Sequence, residues 1–248
     1  MYDFSQRYAV ITGAGKGIGK DIAKRFLADG VKGIALIDYD YELVKATAAE
    51  LDPTGLRAFP VKCDVSNEEQ VAEAFAQIYE RFGRVDILIN NAGITRDAMF
   101  HKMTPQMMHQ VMNVNFFGVY NCVYNVVPKM REQGYGRIVN MSSTSSYGNV
   151  GQANYAASKA AIEGFSKTLA KELGRKNITV NCVLPGMIDT EMMRAIPEDM
   201  LKSRIAATPM QRMGSTDEIA SLVAFLSSDD ASYVSGTCII SSGAYIIH

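Results

Sequence analysis

The sequence predicts a single α/β domain, built on a doubly wound parallel sheet of about seven strands with helices on both faces. Short apolar runs alternate with longer amphipathic segments, which is the pattern of repeated strand–helix units. The predicted strands are apolar on both faces, so the sheet is covered on both sides. A chain of 248 residues with 48% apolar composition suits one large core. No linker or internal repeat divides it, and we expect one domain over residues 1–248.

Each element follows from this alternation. Seven apolar runs are the predicted strands: YAVIT (8–12), GIALID (33–38), LRAFPVKCDV (56–65), VDILIN (85–90), RIVNMS (137–142), ITVNCVL (178–184) and TCIIS (237–241). The intervening helical stretches are 17–29, 40–51, 67–82, 104–130, 153–174 and 215–227. A helix between successive strands implies parallel pairing with crossover connections.

Residues 187–214 interrupt the alternation. The segment carries two prolines and six methionines, at positions 187, 192, 193, 200, 210 and 213. An insertion there lies at one end of the sheet, and we interpret it as a lid that covers the substrate. The alternative is a plain connector with short helices. The methionines favour an adaptable apolar pocket, although core or subunit packing is their more common use.

Composition excludes several classes of function. The 25 basic and 26 acidic residues nearly cancel, and without a basic stripe we expect no nucleic-acid partner. The sequence has no signal peptide and no apolar run of about 20 residues, so we expect a cytoplasmic protein without membrane attachment. The four cysteines lack CxxC spacing, which indicates reduced thiols and no metal site; Cys63, Cys122 and Cys182 lie in apolar runs that predict burial.

A glycine-rich loop joins the first strand to the first helix. In GAGKGIG, Gly13, Gly17 and Gly19 follow a GxxxGxG pattern rather than GxGxxG. Glycines permit a tight turn and let the backbone approach a pyrophosphate at a helix N-terminus, as in Rossmann-type dinucleotide-binding folds. We therefore expect Gly13, Lys16, Gly17, Ile18 and Gly19 to bind a dinucleotide.

An acidic residue ends the second strand. Asp38 lies 19 residues after Gly19, where dinucleotide folds place a carboxylate on the adenosine ribose. A carboxylate there repels a 2′-phosphate and favours NAD over NADP. Lys16 argues the other way, but a flexible lysine does not easily offset the repulsion and desolvation that Asp38 imposes.

Further nucleotide contacts are expected at the ends of the third and fourth strands. Asp64 could accept from the adenine amino group, with Val65 beside it. The alternative for Asp64 is an acid at the start of the next helix, although Ser66 or Asn67 can cap that helix. Small residues in NNAG allow close approach to the ribose; the positions concerned are Asn91, Ala92 and Gly93.

Tyr155 and Lys159 are four residues apart on a predicted helix, so they project from one face. A free tyrosine has a pKa of about 10, too high for efficient proton transfer at neutral pH. A neighbouring ammonium lowers that pKa. The alternative is a solvated helix face, but the glycine loop and the hydroxyls of NMSS at the same sheet edge favour chemistry.

The chain resembles the short-chain dehydrogenase/reductase family over essentially its whole length. The motifs TGAGKGIG, NNAG, YAASK and LPGMIDT match in order and spacing, and the set is specific where each motif alone is not. Longer stretches, including NNAGITRDAMF and EIASLVAFLSSDDASYVSG, resemble the 3-oxoacyl-acyl-carrier-protein reductases.

The resemblance implies a role for each matching residue. Tyr155 is the general acid/base, and Lys159 binds the nicotinamide ribose and depresses the tyrosine pKa. Asn115 holds a water that links Lys159 to solvent, or stabilises an irregular helix turn, and the two roles are compatible. The strand end that follows completes the cofactor contacts, with Thr190 and the Ile188 backbone on the nicotinamide carboxamide beside Pro185 and Gly186.

The catalytic serine has two candidates. The family serine lies 13 residues before the tyrosine, which indicates Ser142, whereas counting from the strand start in GRIVNMSS indicates Ser143. The loop STSSYGN is one residue short of the family pattern, and loops absorb deletions more easily than strands. We therefore assign catalysis to Ser143 and expect Ser142 on the opposite side of the strand.

Two departures from the fatty-acid reductases bear on coenzyme and partner. Those enzymes typically prefer NADPH, which Asp38 opposes. They dock the acidic carrier protein with basic residues, and one such position is Gly134 here, although Lys176 stands at the other. Acyl carrier protein is therefore disfavoured as a partner.

The sequence thus predicts an NAD(H)-dependent oxidoreductase that interconverts a secondary alcohol and a ketone, such as a 3-oxoacyl thioester. The alternative substrate is a hydroxysteroid or another apolar alcohol. A methyltransferase or a non-catalytic NAD-binding protein would have no use for the tyrosine, lysine and serine together. By resemblance, we expect a homotetramer.

Overall fold

The computed structural model describes residues 2–194 and 198–247, and within them it confirms the predicted seven-stranded parallel sheet. The strands are β1 (Tyr8–Thr12), β2 (Gly33–Asp38), β3 (Ala58–Lys62), β4 (Ile87–Asn90), β5 (Gly136–Met141), β6 (Ile178–Pro185) and β7 (Cys238–Ser241). Their spatial order is β3-β2-β1-β4-β5-β6-β7. The chain therefore reverses its direction of winding between β1 and β4, where open α/β sheets bind ligands beyond the carboxyl ends of their strands.

Helices cover both faces. They are α1 (Gly17–Ala28), α2 (Tyr41–Leu51), α3 (Glu68–Phe82), α4 (Pro105–Met112), α5 (Gly118–Gln133), α6 (Ala153–Leu173), α7 (Glu191–Arg194), α8 (Glu198–Ala206) and α9 (Thr216–Ser227). The side chains of α1, α2 and α9 join one apolar core, and those of α3, α5 and α6 join the other. Burial follows helical spacing: α1 buries Ile22, Ala23, Phe26 and Leu27.

The predicted helix over 104–130 is interrupted. A π-helical turn, Asn113–Phe117, separates α4 from α5, and α5 continues to Gln133. The start of α5 packs closely on the segment after β3, since a Cβ on Gly118 would lie 2.7 Å from Val65 Cγ2. That segment is not strand: β3 ends at Lys62 instead of extending through residue 65.

The segment 187–214 leaves the sheet after β6, and its two ends are hydrogen-bonded to each other. Asp189 N donates to Gly214 O at 2.8 Å, and Gly214 N donates to Met187 O at 3.0 Å. Between these ends lie α7 and α8; residues 195–197 of the predicted lid are outside the described residues. None of the side chains described for α8 is fully buried, so little packing holds this helix in place.

The expected burial of three cysteines is confirmed. Cys63, Cys122 and Cys182 are buried free thiols, and Cys238 is partly exposed. No helix among the described residues is long and apolar enough to span a membrane.

Candidate active site

A cleft of about 1150 Å³ lies at the carboxyl ends of the strands. It collects nearly all of the predicted site residues: Gly13, Lys16, Gly17, Ile18, Asp38, Asp64, Val65, Asn91, Ala92, Gly93, Ser143, Tyr155, Lys159, Pro185, Gly186, Ile188 and Thr190. The other two, Gly19 and Asn115, do not line the cleft. A cleft of this size accommodates an extended ligand together with a second, smaller molecule.

The glycine loop fits a pyrophosphate. Gly13 and Gly17 have positive φ angles of 63° and 57°, a conformation that favours glycine. A Cβ on Gly19 would lie 2.2 Å from Gly13 O, so only glycine lets α1 begin so close to the turn. The N-cap residue of α1, Lys16, makes no capping hydrogen bond, and the first turn carries no acid. Its first amides and positive dipole end are therefore available to an anion in the cleft.

Asp38 is buried at the end of β2 and shapes the glycine loop as well as the cleft. One carboxylate oxygen accepts from Gly15 N at 3.0 Å and the other from Asp40 N at 3.2 Å. Each oxygen keeps a second lone pair. Asp38 therefore fits ribose hydroxyls in the cleft while it fastens the loop, a second role that the sequence did not reveal.

Asn91 also fastens this turn. Its Nδ2 donates to Thr12 O at 3.1 Å and to Gly13 O at 3.0 Å. The amides of Asn91 and Ala92 in turn donate to Thr12 Oγ1, each at 3.0 Å. Thr12 is a site-shaping residue that sequence reasoning missed, because a strand-end threonine carries no distinctive signal.

Asp64 is not the cap of α3. Asn67 caps that helix by accepting from Gln70 N at 3.0 Å. Asp64 Oδ1 instead accepts from Ser66 N and Ser66 Oγ, at 2.9 and 2.7 Å. The carboxylate is thus held at the wall of the cleft beside Val65, where the adenine contact was expected.

Tyr155 and Lys159 lie one turn apart on α6. Lys159 is buried, its Nζ lies 5.5 Å from the centroid of the Tyr155 ring, and it donates to Met141 O at 2.6 Å. The start of α6 is anchored by the buried Asn154, which donates to Arg96 O at 2.9 Å and accepts from Tyr155 N at 2.8 Å. Asn154 is a second residue that sequence reasoning missed.

The two serines leave β5 on opposite sides, as the alternation of an extended chain requires. The Ser143 side chain hydrogen-bonds to Tyr155, and Ser143 Oγ accepts from Ser145 N at 3.1 Å. Ser142 Oγ lies 2.8 Å from Glu163 Oε1 and 3.1 Å from Lys159 O, to either of which it can donate its single proton. Both serines line the cleft, and of the two hydroxyls it is that of Ser143 that bonds to Tyr155.

Burial dominates the electrostatics of Tyr155 and Lys159. Desolvation raises the pKa of Tyr155, and the hydrogen bond from Ser143 opposes this. Desolvation lowers the pKa of Lys159 to about 8. The expected lowering of the tyrosine pKa by its ammonium neighbour is not found in the chain alone, because desolvation has the largest effect on that pKa and raises it. At neutral pH, Tyr155 is a protonated acid and most Lys159 side chains are charged.

Asn115 lies in the π-helical turn and is fully buried. Its Oδ1 accepts from Ile94 N at 2.8 Å, and its Nδ2 donates to Ile94 O at 3.1 Å and to Ser158 Oγ at 3.0 Å. A Cβ on Gly93 would lie 3.3 Å from Asn115 Oδ1 and 3.5 Å from Lys159 Nζ. Asn115 therefore holds the loop after β4 in place. Its side chain lies on the same side of Gly93 as the side chain of Lys159.

The loop after β6 crosses over the glycine loop. A Cβ on Gly186 would lie 2.8 Å from Ser242 Cα, and Ile188 pairs with Gly214, so the loop is held at both points. A Cβ on Gly17 would lie 4.0 Å from Thr190 Cγ2. The next residue, Glu191, forms an ion pair with Lys16, with 2.8 Å between Oε2 and Nζ.

The far end of the cleft has a mixed wall. Met187, Met193, Arg204 and Thr208 line it, whereas Met210 lines a separate cavity and Met200 is exposed. The Met192 side chain is outside what the structure describes. The C-terminal tail contributes Tyr245 and Ile246, and Ser242 Oγ accepts from Ile246 N at 3.2 Å. No motif pointed to this tail.

The two carrier-docking positions differ in the structure as in the sequence. Gly134 ends α5 with a left-handed φ of 65°, which is typical of a helix-terminating glycine and offers no charge. Lys176 is exposed in the turn that follows α6. Only one of the two basic positions is therefore occupied by a cation.

Comparisons with known proteins find reductases. A family model described as enoyl-(acyl carrier protein) reductase matches residues 13–245. The acetoacetyl-CoA reductase of Shinella zoogloeoides is 45% identical over 239 residues, 96% of this chain and 97% of that protein. The 3-oxoacyl-[acyl-carrier-protein] reductase FabG of Thermotoga maritima is 40% identical over 242 residues, 97% and 98% of the two chains. The crystal structure of levodione reductase superposes with a TM-score of 0.92 at 36% identity, covering 97% of this chain and 98% of that one.

Proposed function

The chain belongs to the short-chain dehydrogenase/reductase family and is an oxidoreductase that interconverts a ketone and a secondary alcohol; from that premise we propose that it uses NAD(H) and acts on 3-oxoacyl thioesters. The observation that supports this most directly is the cleft, which holds Ser143, Tyr155 and Lys159 together with the glycine loop and Asp38.

In reduction, Ser143 and Tyr155 act on the substrate oxygen. The Ser143 hydroxyl polarises the carbonyl, and Tyr155, protonated because burial raises its pKa, donates the proton that the new alcohol needs. Bound NADH supplies the hydride. Lys159, fixed by Met141 O, then stabilises the phenolate that Tyr155 has become. Oxidation follows the same steps in reverse.

Tyr155 must recover its proton after each turnover. We propose that Lys159 returns it, since burial lowers the pKa of that ammonium to about 8 and makes its proton easier to release. Asn115 Oδ1 and Lys159 Nζ approach Gly93 on the same side, which supports a proton path to solvent through a water held by Asn115.

The coenzyme preference is assigned to Asp38. Its carboxylate is held in the cleft by the amides of Gly15 and Asp40, so it cannot easily turn away from a 2′-phosphate. Replacing Asp38 by Asn keeps the shape and removes the charge. Asp38→Asn should bring kcat/KM with NADPH at least tenfold closer to that with NADH, a change of about 1.4 kcal/mol.

For the substrate, the names of two relatives favour a 3-oxoacyl thioester. The uncharged Gly134 argues that a coenzyme A thioester is preferred over one on a carrier protein. A second candidate substrate is an apolar ketone, such as the ketone formed by oxidation of a hydroxysteroid. It is supported by the similarity to levodione reductase and by the apolar side chains of Met187, Met193 and Ile246 in the cleft wall.

Residues 187–214 are proposed as the lid of the single domain. The segment contributes Thr190, Met193, Arg204 and Thr208 to the cleft wall, although α8 buries little of its own surface. Such a helix can move away from the cleft at low cost, which suits a lid that opens for substrate and product.

A kinetic screen tests the proposal. Initial rates are measured with acetoacetyl-CoA, its carrier-protein counterpart and apolar ketones, each with NADH and with NADPH. We expect the highest kcat/KM with a coenzyme A thioester and NADH. Preference for NADPH would refute the coenzyme assignment, and preference for an apolar ketone would replace the thioester. Tyr155→Phe should lose about 10²- to 10⁴-fold in turnover yet still bind NADH.

A further inference from the structure

We propose that Glu191 is a specificity-determining residue for the coenzyme: by pairing with Lys16 it withdraws a cation that could otherwise receive a 2′-phosphate. The inference rests on the proposed use of a nicotinamide dinucleotide by this cleft. It concerns the residues that face the adenosine end of that dinucleotide. Asp38 already disfavours NADPH there, and Glu191, a residue of the lid, would do so as well.

The ion pair joins two walls of the cleft. Lys16 precedes the first residue of α1, and Glu191 is the first residue of α7. Lys16 Nζ and Glu191 Oε2 are 2.8 Å apart, and both residues line the cleft. The adjacent approach of Thr190 to Gly17 places the loop after β6 directly over the glycine loop. The pair therefore spans the cleft mouth where a pyrophosphate would meet the N-terminus of α1.

Lys16 is also close to the adenosine side. Glu191 is the main cause that raises the pKa of Lys16, and the charges of Tyr39 and Asp38 contribute to the same effect. The same ion pair lowers the pKa of Glu191, with Arg194 as a lesser cause. Lys16 thus lies within the field of the carboxylate that would face the 2′ position.

Among the described residues, Lys16 is the one cation available to a 2′-phosphate at the adenosine end of the cleft. Among the described residues that line the cleft, the loops after β1, β2 and β3 contribute the acids Asp38, Asp40 and Asp64, with Lys16 as their one cation. Arg96, Lys159 and Arg204 line other parts of the cleft. A 2′-phosphate, which carries up to two negative charges, would meet carboxylates and could gain only Lys16.

The ion pair matters because it holds Lys16 away from a 2′-phosphate, and its contribution to folding stability is small. Both side chains are exposed, and such pairs add little to folding stability. Specificity, however, is the difference between two affinities. NADH carries no 2′-phosphate that Lys16 could bind. The pairing of Glu191 with Lys16 therefore does not weaken the binding of NADH at that position. NADPH must either compete with Glu191 for Lys16 or bind without it.

The test is equilibrium binding of NADH and NADPH, followed by ligand fluorescence, to Glu191→Gln. We expect the Kd for NADPH to fall about two- to fivefold, the upper part of the range of an exposed charge interaction, and the Kd for NADH to change less than about 1.5-fold. Glu198→Gln is the matched control. It removes the same charge from the lid, but Glu198 pairs with Lys202 at 2.7 Å and does not line the cleft. Both Kd values should stay unchanged.

The double variant Lys16→Gln/Glu191→Gln shows whether the lysine carries the effect. In the Lys16→Gln background, Glu191→Gln should no longer improve NADPH binding. An improvement that persists there, an equal shift for both dinucleotides, or the same shift in Glu198→Gln would overturn the inference. Failure of the proposed function is a different result: wild-type protein that binds NADPH more tightly than NADH, whatever Glu191→Gln does.

Discussion

At the residue scale, the hydroxyls of Ser142 and Ser143 give adjacent positions different tasks. Ser143 hydrogen-bonds to Tyr155, whereas Ser142 hydrogen-bonds to Glu163, although both serines line the cleft. Ser143→Ala should lower kcat/KM about 10²- to 10³-fold, as expected for loss of a donor to the reacting oxygen.

Ser142→Ala is the control in the same strand end. It should keep kcat/KM within about threefold of wild type and lower the free energy of unfolding by about 1 kcal/mol through the lost hydrogen bond. Steady-state kinetics and thermal unfolding of both variants provide the comparison. If Ser142→Ala loses the activity and Ser143→Ala keeps it, the assignment of the catalytic serine is reversed.

Lys159 predicts the pH dependence. Burial disfavours its charged form and lowers its pKa to about 8, so the ammonium is present below that pH and lost above it. Because the ammonium stabilises the phenolate of Tyr155, kcat/KM for ketone reduction should fall by up to tenfold per unit above about pH 8. Initial rates from pH 6 to 10 measure this. A profile that stays flat to pH 10 is incompatible with the role given to Lys159.

At the element scale, the turn between β1 and α1 depends on a close contact. A methyl group on Gly19 would lie 2.2 Å from Gly13 O, a distance that forces the backbone apart. Gly19→Ala should destabilise the protein by about 1–3 kcal/mol and weaken NADH binding more than tenfold. Thermal unfolding and NADH titration measure the two effects.

Gly174→Ala is the matched substitution outside the site. Gly174 has helical φ and ψ angles of −55° and −38°, and a Cβ there would meet nothing within 4 Å. It should raise the free energy of unfolding by about 0.4–1 kcal/mol and leave NADH binding unchanged. Equal behaviour of the two variants would show that the glycine loop tolerates a side chain.

The elements differ in how far the sequence predicts them. The strands were predictable because a sheet covered on both faces requires continuous apolar runs. The break between α4 and α5 was not, because a π turn leaves the apolar spacing almost intact. It is set instead by contacts from elsewhere in the chain, those of Asn115 with Ile94 and of Gly118 with Val65.

At the scale of the whole molecule, the outer face of α5 bears on the expected homotetramer. Phe117, Tyr120 and Tyr124 are 47, 41 and 68% exposed, and the Tyr120 ring lies 6.3 Å from that of Phe165 on α6. A contiguous aromatic surface on two neighbouring helices is typical of a subunit interface. This supports the expectation that α5 and α6 pack against a second copy.

Tyr124→Arg should therefore shift the protein from tetramer to smaller species by placing a charge in that interface. Sedimentation or size-exclusion with light scattering measures the mass against the 27.1 kDa chain. Leu56→Arg is the control, since Leu56 is 75% exposed and lies just before β3, an edge strand of the sheet, whereas α5 packs on the central strands. A wild-type monomer, or dissociation by Leu56→Arg alone, contradicts the expected arrangement.

The sequence by itself determined the fold class, the glycine loop, Asp38 and the pairing of Tyr155 with Lys159. These rest on local spacing: a helix brings residues four apart to one face, and parallel strands end at one edge. Tertiary structure alone decided that Asn154 anchors the start of α6, that Asn91 holds the glycine turn, and that Glu191 reaches Lys16. Those contacts join segments far apart in the chain, and their geometry depends on how the helices and loops pack around the sheet.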